Sequence, residues 1–230
     1  MQQLKSRTIV LSRINYGEAD RILTVITPTA GKLRIMARGV RALKSKLAGG
    51  IELFSISDMS YIRGHSELHT LTSARLETNF ASILTDIERV QFGYEILKII
   101  NKVTEDETEP AYFELIADTL NGLNDLDVPL SVTRLWFFCR LLAVSGHQPN
   151  LSGDSRGQSL AEDSKFNFDL SSMSFYARDD GIFTPEQIKF LRLAFSTISP
   201  KVLRRIIQAD GLSQQLIGLV MLLHEHQLNG

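Results

Sequence analysis

Residues 31–41 read Gly31-Lys32-Leu33-Arg34-Ile35-Met36-Ala37-Arg38-Gly39-Val40-Arg41, and their period is two. Leu33, Ile35 and Ala37 alternate with Lys32, Arg34, Met36 and Arg38, so an extended chain buries the first set and turns the second outward. Three of the four outward residues are cations. The flanking glycines are turn signals, and Gly39 begins a connection that carries Arg41, Lys44 and Lys46 to Gly49-Gly50. The stretch predicts a β-strand with one wet, basic face.

Four other β-rich runs surround this one, at residues 8–14, 22–27, 51–62 and 68–76, with the central strand placed at 33–40. Tyr16-Gly17, residues 28–31, residues 39–50 and Arg63-Gly64 separate them as turns. Five strands in about eighty residues predict a small closed or nearly closed barrel. An OB-type barrel is the commonest five-stranded solution, and an SH3-like barrel gives a similar pattern.

Near residue 78 the period becomes helical. Phe80, Ile83, Leu84, Ile87, Val90, Gln91, Tyr94, Leu97 and Ile100 step by three and four, predicting one apolar stripe with Asn79 as its cap. Further helices are predicted at 110–123, 130–145, 185–196, 200–210 and 212–228. The third of the six has little polar face, which places it at the centre of its domain. Residues 152–184 are rich in Ser, Asp and Gly and read as an irregular insertion. The expected class is α+β: a five-stranded OB-type barrel over residues 1–79, then an all-helical domain over 80–230. This is not the alternating order of a Rossmann-type enzyme.

The chain has 230 residues, 43% hydrophobic and 22% charged, with a formal net charge of −1. That sum conceals an asymmetry. Residues 1–80 carry +6 and residues 81–230 carry −7, and no acid occurs from Arg21 to Ile51. Such a split points to a polyanion-binding module joined to a different one. A single cysteine, Cys139, excludes a disulfide framework and fits a reducing compartment. The amino-terminal stretch is broken by charges, and no run approaches the roughly 20 apolar residues of a membrane span. A cytoplasmic protein is expected.

No credible active site emerges. Residues 153–157 satisfy G-x-S-x-G, yet neither flank reads as the buried strand a nucleophile elbow needs. His65 and His69, four apart on a strand, stand about 13 Å apart, too far to share a metal ion. Gly31-Lys32 lacks the upstream glycine and the following Ser or Thr of a P-loop. What remains is the basic strand and loop, suited to a groove that follows a phosphate backbone. Stacking partners are few, because Tyr16, Phe54 and Tyr61 are the only aromatics before Phe80.

Tyr16-Gly17-Glu18-Ala19-Asp20, Val25-Ile26-Thr27, Gly31-Lys32, Ala37-Arg38-Gly39-Val40-Arg41 and Lys44-Ser45 closely resemble the amino-terminal signature of the bacterial RecO family. Leu135-Trp136 through Leu141-Leu142 to Gly146 and Pro149 extends the likeness into the helical part. The resemblance implies a non-catalytic DNA-repair protein that binds single- and double-stranded DNA and anneals complementary strands. It also implies partnership with RecR, with the acidic tail of single-stranded DNA-binding protein and, indirectly, with RecA, in the bacterial nucleoid. By position it assigns DNA contact to Lys32, Arg34, Arg38, Arg41, Lys44 and Lys46. For the tail-binding pocket it suggests Arg134, with Phe54 as an apolar neighbour.

Many members carry a four-cysteine zinc site. Here Asp154 and Gly157 stand where the first pair would be, and residues 173–184 hold no cysteine. No zinc or other cofactor is therefore expected. A different class of function, an RNA-binding adaptor of translation or the ribosome, would use the same barrel.

Overall fold

Five strands close into a barrel in the order β1-β2-β3-β5-β4, with β4 returning to β1. They are β1 (Gln3–Tyr16), β2 (Asp20–Thr27), β3 (Gly31–Ala37), β4 (Ser55–Ile62) and β5 (Leu68–Asn79). The computed structural model describes residues 3–64, 67–104, 109–153 and 164–228. All neighbouring strands are antiparallel except β3 and β5, whose pairing brings Arg34 opposite Leu68. Val10, Leu23, Val25, Ile35, Ala37, Met59 and Tyr61 fill the interior.

The opposite face of the barrel is not all wet. Ile9 stands directly between Ile26 of β2 and Ile56 of β4, and the three are 0%, 0% and 3% exposed. Alternation turns them away from the interior, so a second apolar layer is required outside. Helices α1 (Ile87–Val103) and α2 (Pro110–Asn124) supply it, with α1 against β1 and α2 against β2. Burying each isoleucine contributes about 1.5–3 kcal/mol. The compact unit therefore runs past the barrel to Leu126, and a second unit begins at Asp127.

Several elements differ from the sequence pattern. Strand β3 ends at Ala37 rather than at residue 40, because Gly39 takes a positive φ of 63° and turns the chain. Strand β4 begins at Ser55 rather than 51, after a 3₁₀ turn at Ala48–Gly50. Met36, expected outside, is buried, and Lys32 on the same outer face is half-buried.

The stripe expected on α1 is also corrected. Asp86, not Asn79, caps the helix, accepting hydrogen bonds from the N–H groups of Glu88 and Arg89. Phe80, Ile83, Leu97 and Ile100 of the expected stripe are buried, but Leu84, Ile87 and Tyr94 are exposed, and Arg89, Phe92, Gly93 and Ile96 face inward in their stead. The Arg89 guanidinium is buried because it donates to the carbonyls of Leu123, Asp125 and Leu126 at the end of α2, at 2.8, 3.3 and 3.4 Å. A cation suits the open carbonyls of a helix C-terminus.

In the second unit, α3 (Leu130–Val144) packs against α4 (Pro185–Ser196), α5 (Pro200–Leu203) and α6 (Ala209–Leu228). It is central there, with Leu135, Trp136, Phe137, Phe138, Cys139, Leu141 and Leu142 all buried. The Trp136 Nε1–H donates to Thr197 O at 3.0 Å. The helix expected at 200–210 is a single turn, α5, and α6 starts at Ala209, running straight through Gly211. Within the insertion expected to be irregular, β6 (Phe166–Asp169) and β7 (Ser174–Ala177) form a hairpin. Phe175 holds it by edge contacts to Phe168 and Phe183 at 4.9 and 5.5 Å. Among the described residues, no helix is long and apolar enough to cross a membrane.

Candidate nucleic-acid interface

Register decides which loops share an end of the barrel. Tyr16 pairs with Asp20 to close the β1–β2 turn, and Arg21 pairs with Ala37 at the end of β3. The turn at 17–19 and the basic connection from Arg38 onward therefore emerge together. Three hydrogen bonds fasten them. The Gly39 N–H donates to Asp20 Oδ1 at 2.7 Å, the Arg41 N–H to Ala19 O at 2.9 Å, and Arg41 Nη1 to Gly17 O at 3.2 Å. The two most distinctive sequence clusters of the barrel are one structural feature.

Around this fastening Arg38, Arg41, Lys44 and Lys46 are exposed, and Arg34 is exposed midway along β3. Arg41 has one guanidinium N–H on Gly17 O, which leaves other donors of its fork for a phosphate. Lys32 differs from the rest. Its ammonium donates to Asn101 O at 3.1 Å and to Thr104 O, tying β3 to the C-terminal end of α1.

Tyr16, one of the few aromatics the sequence offered, and residues it did not single out complete the surface. Tyr16 is 55% exposed at the tip of β1, and Ile14 and Leu43 also stand in solvent. The signal for Tyr16 was its place beside Gly17: a ring at a strand end is lifted out of the barrel, whereas one in mid-strand fills it. Arg13 pairs with Glu52 at 2.8 Å and Arg21 donates to Asn15 at 3.2 Å, so both brace the same end.

Phe54 and Arg134 belong to different compact units. Phe54 is a core residue, 3% exposed, with φ +55° and its ring edge-on to Tyr94 at 5.2 Å. A Cβ on Gly93 would stand 2.7 Å from its ring, so the glycine is what admits it. Arg134 is half-buried on α3, and its neighbours Trp136 and Phe137 are buried in the core of the second unit. That unit has a cavity of about 730 Å³, lined by Phe168, Tyr176, Ile182, Leu219 and Leu222 among others, and Arg134 does not line it.

Residues 154–157 of the G-x-S-x-G match and His65 lie outside the described residues. Among those described, no group of three or more His, Cys, Asp or Glu is placed to hold a metal ion. A thiolate site does not fit this chain: Cys139, its one cysteine, is buried in α3, and burial pushes its thiol well above the ordinary value.

Two family models match the chain. Recombination protein O N terminal matches residues 1–80, and Recombination protein O C terminal matches residues 84–207. The chain belongs to the RecO family. It is 32% identical over 168 residues to a DNA repair protein RecO of Acetivibrio thermocellus, covering 72% of this chain and 66% of that one. A DNA repair protein RecO of Halalkalibacterium halodurans is 33% identical over 148 residues, 64% of this chain and 58% of the relative. That of Roseiflexus is 33% identical over 148 residues, 64% and 51%. The matched part thus spans between half and two thirds of these relatives' own length. Tyr16 to Asp20 and Ala37 to Arg41, among the stretches on which the sequence resemblance rests, are the two segments that Asp20 and Arg41 join.

Proposed function

We propose that this RecO-family chain is a non-catalytic DNA-binding recombination mediator that anneals complementary strands and helps RecA replace single-stranded DNA-binding protein on DNA. The observation that carries the reading is the gathering of Arg38, Arg41, Lys44 and Lys46, with Tyr16, on one end of a closed barrel. Cations on a braced loop neutralise phosphates of either strand, and an exposed ring at the same end stacks on an unpaired base. Screening of phosphate repulsion is what annealing requires. Arg34 extends the track along β3, while Lys32 serves the fold instead.

The excess of acid after residue 80 lies wholly within residues 81–126, in the barrel's own compact unit, and the second unit has no net charge; RecR and the tail of single-stranded DNA-binding protein are the protein partners in this reading. The protein works without structural zinc and on the bacterial nucleoid. The test is annealing of complementary oligonucleotides at moderate salt by the triple variant Arg38→Ala, Arg41→Ala, Lys44→Ala. Annealing should be lost, and the salt dependence of single-strand binding should fall by about 2 in slope, at roughly 0.7 per phosphate contact. Unchanged annealing overturns the site, and tighter binding of RNA than of DNA of equal sequence overturns the substrate.

A further inference from the structure

The other end of the barrel holds a cavity that the cationic cluster does not reach. Strand β1 begins there, β2 passes into β3, and β4 ends, enclosing about 510 Å³. Leu4 and Leu33 supply apolar lining. Tyr61 and His69 line it as a stacked pair, with ring centroids 5.4 Å apart and planes inclined by 21°. Arg63 also lines it, is exposed, and has no ion-pair partner among the described residues.

Each part has a chemical preference. The His69 Nδ1 accepts from the Gly64 N–H at 3.4 Å, which places the ring proton on Nε2. Burial, with Arg63 nearby, holds the imidazole below its ordinary pKa, so at neutral pH it is an uncharged flat ring with a donor. A flat aromatic lining in an apolar cavity takes another π system, and a guanidinium without an acid takes an anion. The volume lies within the range of small-ligand sites.

We propose that this cavity holds one nucleotide of a single strand, its base against the Tyr61–His69 pair and its phosphate on Arg63. The choice of a nucleotide over another ring-bearing anion rests on the DNA-binding reading above.

The experiment is a titration of the full chain with 5′-deoxyadenylate, followed through the proton resonances of the His69 and Tyr61 rings. A saturable shift is expected, with deoxyadenosine and inorganic phosphate each at least fivefold weaker. Arg63→Gln should lower deoxyadenylate to the level of deoxyadenosine. Ala30→Trp, at an exposed position on the rim, should fill the cavity and abolish the shift while leaving amide dispersion intact. No saturable shift, or a shift that survives both variants, overturns the proposal. Wild-type protein that binds an oligonucleotide while His69 stays unmoved overturns the pocket alone. Failure to bind any oligonucleotide overturns the DNA reading, and with it the strand as ligand. Loss of oligonucleotide binding in the Arg38, Arg41, Lys44 variant, with the deoxyadenylate shift retained, supports both.

Discussion

The carboxylate of Asp20 accepts a hydrogen bond from the backbone N–H of Gly39 at 2.7 Å, joining the β1–β2 turn to the first residues of the basic connection. Gly39 can make it because its φ of +63° lies where a side chain would be strained. Asp20→Ala should leave that N–H without its partner, at a cost of about 1–3 kcal/mol. Electrostatics alone says the opposite for DNA, since removing an acid beside Arg38 and Arg41 raises the positive potential. Slower annealing by Asp20→Ala, with Asp20→Asn near wild type because its amide oxygen still accepts, identifies the bond as what positions the loop. Faster annealing by both variants would reduce Asp20 to a charge.

Lys32 separates folding from binding within a single run of cations. Its ammonium lies on the carbonyls of Asn101 and Thr104, so Lys32→Ala opens the end of α1. A stability loss of about 1–2 kcal/mol is expected, in the range for a partly buried cation at a helix C-terminus. The slope of DNA affinity against salt should not change, whereas Arg34→Ala should lower it by about 0.7 with no change in thermal midpoint. Denaturant unfolding and fluorescence anisotropy across a salt series check both halves.

The barrel was legible because its strands keep a period of two, and the basic window because charge runs are read directly. Helix α1 was legible as a helix but its buried face only in part, and Arg89 shows why. Two stripes compete on that helix, one through Ile87 and Tyr94 and one through Arg89, Phe92 and Ile96, and they share Leu97 and Ile100 at its end. A cation at the head of the second makes it look like the wet face. Its burial follows only from the three carbonyls at the end of α2, a fact of tertiary structure that no local pattern contains. Met36 and Lys32 were misplaced for a related reason: alternation gives the parity of a strand residue but not whether a helix covers the outer face. In the interface itself, sequence located the cations and missed the bond between Asp20 and Gly39, which spans 19 residues.

Cys139 and zinc make a joint prediction. With its thiol buried and held protonated, Cys139 should resist a disulfide reagent in the native protein and react fully once denatured. Elemental analysis of purified protein should find less than stoichiometric zinc, and a chelator should leave the thermal midpoint where it was. Stoichiometric zinc, or a chelator-induced fall in midpoint, would show ligands other than thiolates at work.

Asp58 gives the barrel a dependence on pH whose direction can be worked out. On β4 it lies 3.3 Å from Lys5 of β1 and 3.2 Å from Arg75 of β5, linking three strands. Hydrogen bonds from Lys5 and then Arg75 lower its pKa from the ordinary aspartate value. A carboxyl with a folded pKa below its unfolded one binds fewer protons when folded. Its contribution is complete above the unfolded value, about 3.9, and is lost as pH falls through the folded value. Both cations are largely exposed, so the contribution is that of a screened surface network and should shrink in high salt. The thermal midpoint of wild type should exceed that of Asp58→Asn by a constant margin from pH 7 to 5. The margin should narrow below about pH 4 as Asp58 takes up its proton. A margin that persists unchanged into strong acid would mean that Asp58 stabilises the strands through its shape and neutral hydrogen bonds, not through its charge.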